Sequence, residues 1–167
     1  MVEQAAHQRS QGLLGRARLR LLGGMSIAAL LRPVVGAPLV RWLALLALCA
    51  AYLQGGLVKA FDFPGAIVEM NHFGLSPAAP LAIIVIAFEI GASLMILSGF
   101  YRWLGALSLA GFTLLATLLA NRFWEMAPPE RFMAMNGFFE HIGLCGGFLL
   151  IAWHDLNQIT LHAGRPS

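Results

Sequence analysis

Charge is what this sequence has least of. Only 11% of its 167 residues are charged, against about 25% in an ordinary soluble domain. A water-soluble chain of this length could not cover its surface so thinly. A disordered chain, a nucleic-acid-binding domain with a basic face and most cytosolic enzymes are therefore excluded. Cysteine is nearly absent too. Cys49 and Cys145 both fall inside apolar runs, a spacing unsuited to a disulfide staple, a redox CxxC pair or a zinc site. Both read as small packing residues. The chain also lacks a phosphate-binding glycine loop, a hydrolase triad, a metal-ligand cluster and any internal repeat.

What is present is apolar: 59% of residues are hydrophobic and the mean hydropathy is +0.74. A hydrocarbon core takes about 20 apolar residues to cross, and four segments have that length. They run from about Pro38 to Val58, Pro77 to Ser98, Trp103 to Asn121 and Phe132 to Trp153. Segments two and three are joined only by Gly99 to Arg102 and must form an antiparallel hairpin. Ser76-Pro77 reads as a cap with proline at the first helical position, and Gly99 as a C-terminal glycine. Between segments one and two, Gly65 to Phe73 reads as a short helix lying in the interface and carrying Glu69, Asn71 and His72. The fold class is an all-α integral membrane four-helix bundle with short loops.

The expected organisation is a basic N-terminal tail over residues 1–37, the bundle over 38–154 and a C-terminal tail over 155–167. In the tail, arginines surround the apolar stretch Leu21 to Leu31. It resembles a signal peptide but is short and lacks a cleavage site, so it reads as a flexible segment leading into a surface-lying helix. Basic residues then set orientation. Arg9, Arg16, Arg18, Arg20, Arg32, Arg41, Arg102 and Arg165 fall on one side, and only Lys59, Arg122 and Arg131 on the other. Both termini are expected in the cytoplasm.

Ionisable residues inside membrane spans are expensive, roughly 2.5–3.5 kcal/mol each at the bilayer centre on insertion scales. They are therefore the informative positions. Glu89 lies midway along segment two. Glu140 and His141 lie about 12 Å into segment four at 1.5 Å per residue. Lys59 and Arg122 end segments one and three. Small-residue faces support a shared interior: Ala106, Ala110, Thr113 and Thr117 in segment three, and Asn136, Glu140, Gly143 and Gly147 in segment four. The expected site is a polar pocket at one end of the bundle, built from Lys59, Glu89, Arg122, Glu140 and His141. In it Arg122 pairs with Glu140, and the carboxylates are neutralised by cations or bound protons. The competing reading is a set of structural ion pairs that fix helix order. His141 follows Glu140 by about 100° of helix and reads first as a core histidine.

Four motifs, in order, carry a family resemblance: Lys59-Ala60-Phe61-Asp62-Phe63-Pro64-Gly65, Phe88-Glu89-Ile90-Gly91, Asn121-Arg122-Phe123-Trp124 and Asn136-Gly137-Phe138-Phe139-Glu140-His141-Ile142-Gly143. Together they resemble the DoxX family of small membrane proteins, over about Arg41 to Ala152. The resemblance implies a bacterial inner-membrane protein and a quinone-associated or redox-linked accessory subunit of an oxidoreductase complex. Quinone is the implied cofactor, with Phe138 or Trp124 as rings to flank it, and a redox protein is the implied partner beside the lipid bilayer. Gly143-x-x-x-Gly147 would permit a homo-oligomer. The alternatives are a small-molecule or proton-coupled permease using Glu89 and Glu140, and an assembly protein without activity of its own.

The charge bias makes a topological prediction. Single cysteines at Ser10 and Ser167 should be shielded from a membrane-impermeant thiol reagent in intact cells, while one at Ala127 should label. Labelling at Ser10 but not at Ala127 inverts the orientation.

Overall fold

The computed structural model describes residues 27–163. The arginines expected to anchor the tail at positions 9, 16, 18 and 20, and Arg165, lie outside the described residues. Among the described residues, those up to Leu43 belong to one compact unit and those from Ala44 onward to a second. The first contains the nine-residue helix α1 (Ile27–Val35), with Arg32 in its last turn.

All described regular structure is helical. The remaining elements are α2 (Pro38–Phe61), α3 (Phe63–His72), α4 (Ala78–Ser98), α5 (Arg102–Ala120), a 3-10 turn at Phe123–Glu125 and α6 (Glu130–Ala163). Four helical stretches are long and apolar enough to cross a membrane, and they match the four expected segments. Their outward side chains are those of a lipid-facing surface: Leu57, Ile83, Leu94, Leu115 and Leu150 are all about half exposed or more. No hydrophobic gain drives helices together in lipid, so association rests on close packing and polar contacts.

Small residues provide that closeness. Ala106, Leu109, Ala110, Thr113 and Thr117 form the buried face of α5, and Ala82, Glu89, Ala92, Ser93 and Ile96 that of α4. At Gly105 a side chain would meet the Ala92 carbonyl oxygen at 2.8 Å and Met95 Cβ at 2.9 Å. Gly105 is therefore where α4 and α5 touch backbone to side chain. At the hairpin, Gly99 takes the left-handed conformation (φ 83°) and its N–H donates to the Met95 carbonyl. Arg102 Nε donates to the Ile96 carbonyl at 2.9 Å, and its guanidinium lies 3.6 Å from Asp155. Asp155 also accepts from the Trp103 backbone N–H at 3.2 Å. It thus fastens α6 to the hairpin from within a helix that runs on to Ala163.

One local expectation changes. Helix α4 starts at Ala78, with Pro77 in the capping position and no side-chain cap, so Ser76 does not cap it. Helix α3 does have a cap: Asp62 Oδ1 accepts from the Gly65 N–H at 3.1 Å, and Pro64 sits in the first turn. The expected short helix is present as α3, which buries Ala66 and Met70 against Ala82 and its neighbours on α4.

The larger change is the facing of α6. Asn136, Glu140 and Gly143 are exposed, whereas Ala134, Phe148 and Ala152 are buried and His141 is half-buried. The inward line is Gly137, His141, Leu144 and Phe148, the expected stripe moved on by one residue, or about 100°. Phe148 is wholly buried and meets Tyr52 edge-on at 5.5 Å.

The Gly105 contact makes a stability prediction with an internal control. Gly105→Ala should lower the detergent melting temperature by the equivalent of about 1–3 kcal/mol, the usual cost of overpacking. Gly111→Ala, on the same helix but facing open space, should be neutral or slightly stabilising, because alanine is the better helix former. Equal effects at both positions would remove the close contact.

Candidate functional site

The Phe61–Phe63 joint turns the chain from α2 into α3 and brings three ionisable side chains together. Lys59 Nζ, near the end of α2, lies 3.3 Å and 3.4 Å from the two carboxylate oxygens of Glu89 on α4. It also lies 3.8 Å from Glu69 on α3. Lys59 and Glu89 are largely buried, with side chains 14% and 8% exposed, whereas that of Glu69 is 43% exposed. The approach depends on Gly56 more than on Gly55, where a side chain would make only ordinary contacts. A Cβ at Gly55 would stand 3.5 Å from Lys59 Nζ and 3.6 Å from Glu89 Oε2, and one at Gly56 would meet Ile90 Cγ1 at 2.8 Å.

Beside this triad is a cavity of about 450 Å³. Tyr52, Gly55 and Lys59 line it from α2, Glu69, Met70 and Phe73 from α3 and its end, and Val85 and Glu89 from α4. Helix α5 contributes Phe112, Thr113, Leu115 and Leu119, and α6 adds His141 and Leu144. Its floor is tied by a hydrogen bond. Thr113 Oγ1 donates its single proton to the Leu109 carbonyl, so the Tyr52 hydroxyl donates to Thr113. On the far wall His141 Nδ1 lies 2.6 Å from the Gly137 carbonyl oxygen. That contact requires Nδ1 to carry the proton, which leaves Nε2 of the neutral ring as an acceptor. Asn121 Nδ2 donates to Thr117 Oγ1 at 3.2 Å and stands 3.2 Å from His141 Nδ1, which, carrying its own proton, does not accept from it. Leu115, on the cavity wall, is 70% exposed to the lipid side. The cavity wall thus includes a side chain that also faces the outside of the bundle.

Of the five expected site residues, Lys59, Glu89 and His141 line this cavity. The other two do not join them. Arg122 pairs with Glu125 at 3.3 Å, one helical turn away on an exposed surface. It lines a second cavity of about 320 Å³ with His72 and Glu125, which shares Phe73, Leu119 and Ala120 with the first. Glu140 is exposed and, among the described residues, has no ion-pair partner. The expected Arg122–Glu140 pair is not formed, for two reasons. The one-residue offset of α6 turns Glu140 outward, and Gly137 and His141 stand level with Asn121 at the end of α5. The first turns of α6 therefore project past that end and are not sunk in the bundle. There Phe123, Trp124, Phe138 and Phe139 stack edge to face on one another, and neither Trp124 nor Phe138 lines the inner cavity. Glu69 was missed as a site residue. The available signal was its place ten residues after Lys59 in a short helix that begins with Asp-Phe-Pro-Gly.

Among the described residues no three His, Cys, Asp or Glu side chains converge to hold a metal, and both cysteines are free thiols. Cys145 Sγ lies 3.3 Å from the Ala110 carbonyl oxygen.

A bundle of apolar helices around a buried ion pair is a polytopic membrane protein of small size, and comparison with known proteins gives it a family. The DoxX family model matches residues 39–122, half of the chain, and the chain belongs to the DoxX family. Inner membrane protein YphA of Escherichia coli (strain K12) is 25% identical over 124 residues, covering 74% of this chain and 89% of that protein. No solved structure matches. The chain is a multi-pass inner-membrane protein.

The triad is asymmetric, and its stability effects should be too. Lys59→Met leaves Glu89 buried with no cation, at a cost of roughly 3–5 kcal/mol by analogy with broken buried pairs. Glu89→Gln leaves Lys59 beside Glu69 and should cost much less. In detergent melts Lys59→Met should be the less stable protein, and adding Glu89→Gln to it should restore part of the loss. Arg122→Ala, which breaks an exposed pair, should change stability by about 1 kcal/mol or less. Additive losses in the Lys59/Glu89 double variant would remove the pairing.

Proposed function

We propose that this DoxX protein is a quinone-associated accessory membrane subunit whose inner cavity binds the head of a membrane-soluble ring compound bearing carbonyl oxygens. The single observation carrying this reading is the cavity's composition. Apolar and aromatic walls surround one ammonium donor, Lys59, and the cavity has a lipid-facing flank at Leu115. Its volume of about 450 Å³ lies in the range of small-molecule sites. Lys59 has three donors, and its contacts at 3.3–3.8 Å are long enough for a ligand carbonyl to compete for one of them. Tyr52 and Phe112 supply ring faces for an apolar body. A quinone fits this donor set, and when bound it would supply two-electron redox chemistry. The protein's own residues bind and orient it, and Glu89 sets the position of Lys59. The charge bias of the loops supports placing the α3 end on the periplasmic side.

Native mass spectrometry of the protein purified in mild detergent tests the reading. Wild type should retain a quinone, and Glu89→Gln, with unchanged helical content, should lose it. Loss of one charge-assisted hydrogen bond, roughly 1.5–3 kcal/mol, corresponds to about a ten- to hundredfold weaker Kd. A folded wild-type protein that retains no quinone and takes up no added short-chain quinone overturns the reading. Substrate-driven proton flux in liposomes would put a permease in its place.

A further inference from the structure

The triad joins two environments that the rest of the bundle separates. Glu89 is 6% exposed and lines the cavity. The Glu69 side chain is 43% exposed at the α3 surface, and Lys59 stands between them at 3.3 Å and 3.8 Å. The titratable groups facing the cavity are Lys59 and Tyr52 from α2, Glu69 from α3, Glu89 from α4 and His141 from α6. Helix α5 contributes Thr113 and no charged side chain. Tyr52 spends its proton on Thr113, and His141 Nδ1 spends its own on Gly137. Glu69 is thus the cavity carboxylate that also meets the surface. With both glutamates ionised the triad carries one surplus negative charge, which a single proton neutralises.

We propose that Glu69, Lys59 and Glu89 form a proton path between the α3 surface and the inner cavity. Glu69 takes a proton from water. The Lys59 ammonium passes one of its protons to the Glu89 carboxylate and becomes a neutral amine. That amine then takes the proton from Glu69. The net change is one proton moved from water to Glu89, with Lys59 again an ammonium and Glu69 again a carboxylate. The reverse sequence returns a proton to the surface. The path rests on the cavity reading above in one respect: a bound quinone gives the proton a use, since its reduction takes up protons and its reoxidation releases them. The geometry itself needs no quinone.

Time-resolved infrared spectroscopy after photorelease of protons tests the path on the ligand-free full chain in nanodiscs. A protonated-carboxyl band abolished by Glu89→Gln reports Glu89 directly. Its rise should slow about a hundredfold in Glu69→Gln, the lower end of the range for loss of a positioned acid–base group, and recover in part in Glu69→Asp. Glu69 is half-exposed, so its variants should fold normally, and circular dichroism checks this. An unchanged rise in folded Glu69→Gln overturns the path. So does the absence of any Glu89 band between about pH 4 and pH 9, a range spanning the carboxylate and histidine values. Slowing in His141→Gln with Glu69→Gln at the wild-type rate would route the proton through α6 and also overturn it. Because no quinone enters this measurement, failure to retain quinone leaves its outcome unaffected.

Discussion

An ammonium and a carboxylate buried in a lipid-embedded bundle stay charged only if their helices approach closely enough for the two groups to touch. Lys59 and Glu89 set that requirement here, and much of the local architecture answers it. Gly56 leaves room on α2 for the Ile90 side chain and the Glu89 Cβ of α4. The turn at Asp62 folds α3 back to bring Glu69 within 3.8 Å of the same ammonium. The hydrogen bond between Tyr52 and Thr113 holds α5 about two turns below Lys59. The cavity is the space these constraints leave, bounded by charge on one side and by apolar and aromatic walls elsewhere.

How far the sequence disclosed this depends on which physical signal each element carries. The four spans were legible because length and apolarity are what a hydrocarbon core selects. The inward face of α5 was legible because small residues recur there at helical spacing. Helix α6 was not. Its Asn136–Glu140–Gly143–Gly147 line and its Gly137–His141–Leu144–Phe148 line have identical spacing, so periodicity cannot choose between them. The choice is made by packing. Phe148 fills the core beside Tyr52, and His141 meets Asn121, a long-range pairing that no local pattern encodes. The same offset removed Glu140 from the site and left Arg122 to its near neighbour Glu125. Lys59 and Glu89 were legible as ionisable residues in apolar runs. Glu69 was hidden because its importance comes from the direction in which α3 folds back.

The family match and the site divide the chain in an instructive way. Residues 39–122 match the DoxX model, and the whole triad, Tyr52, Thr113 and the close-packing Gly56 of α2 lie within that stretch. The wall that α6 adds, with His141, Leu144 and Phe148, lies beyond it. The charged part of the cavity is thus built by α2 to α4, α5 adds an uncharged wall, and α6 closes the remaining side. Asp155, bound to Arg102 and Trp103, sets how far along the bundle α6 sits. It therefore determines the height at which His141 meets the cavity.

The two ends of the bundle differ in a way that bears on what the cavity can do. Toward α3 it is open, polar and flanked by the second cavity at Arg122. Toward the hairpin the helices close on a dry layer, in which Ile96, Ala106 and Leu109 are wholly buried and Ala152 nearly so. Below that layer the Arg102–Asp155 contact ties the helix ends. A permease needs a route onward from its binding site, and opening one here would mean parting Gly105 from the Ala92 backbone and breaking the packing of Phe148 on Tyr52. A binding site needs no such route. It needs a pocket reachable from the membrane or from one surface, a rigid floor and a polar group held in place, and each of these is supplied by named contacts. On the reading proposed above, a ligand would enter and leave by the same end.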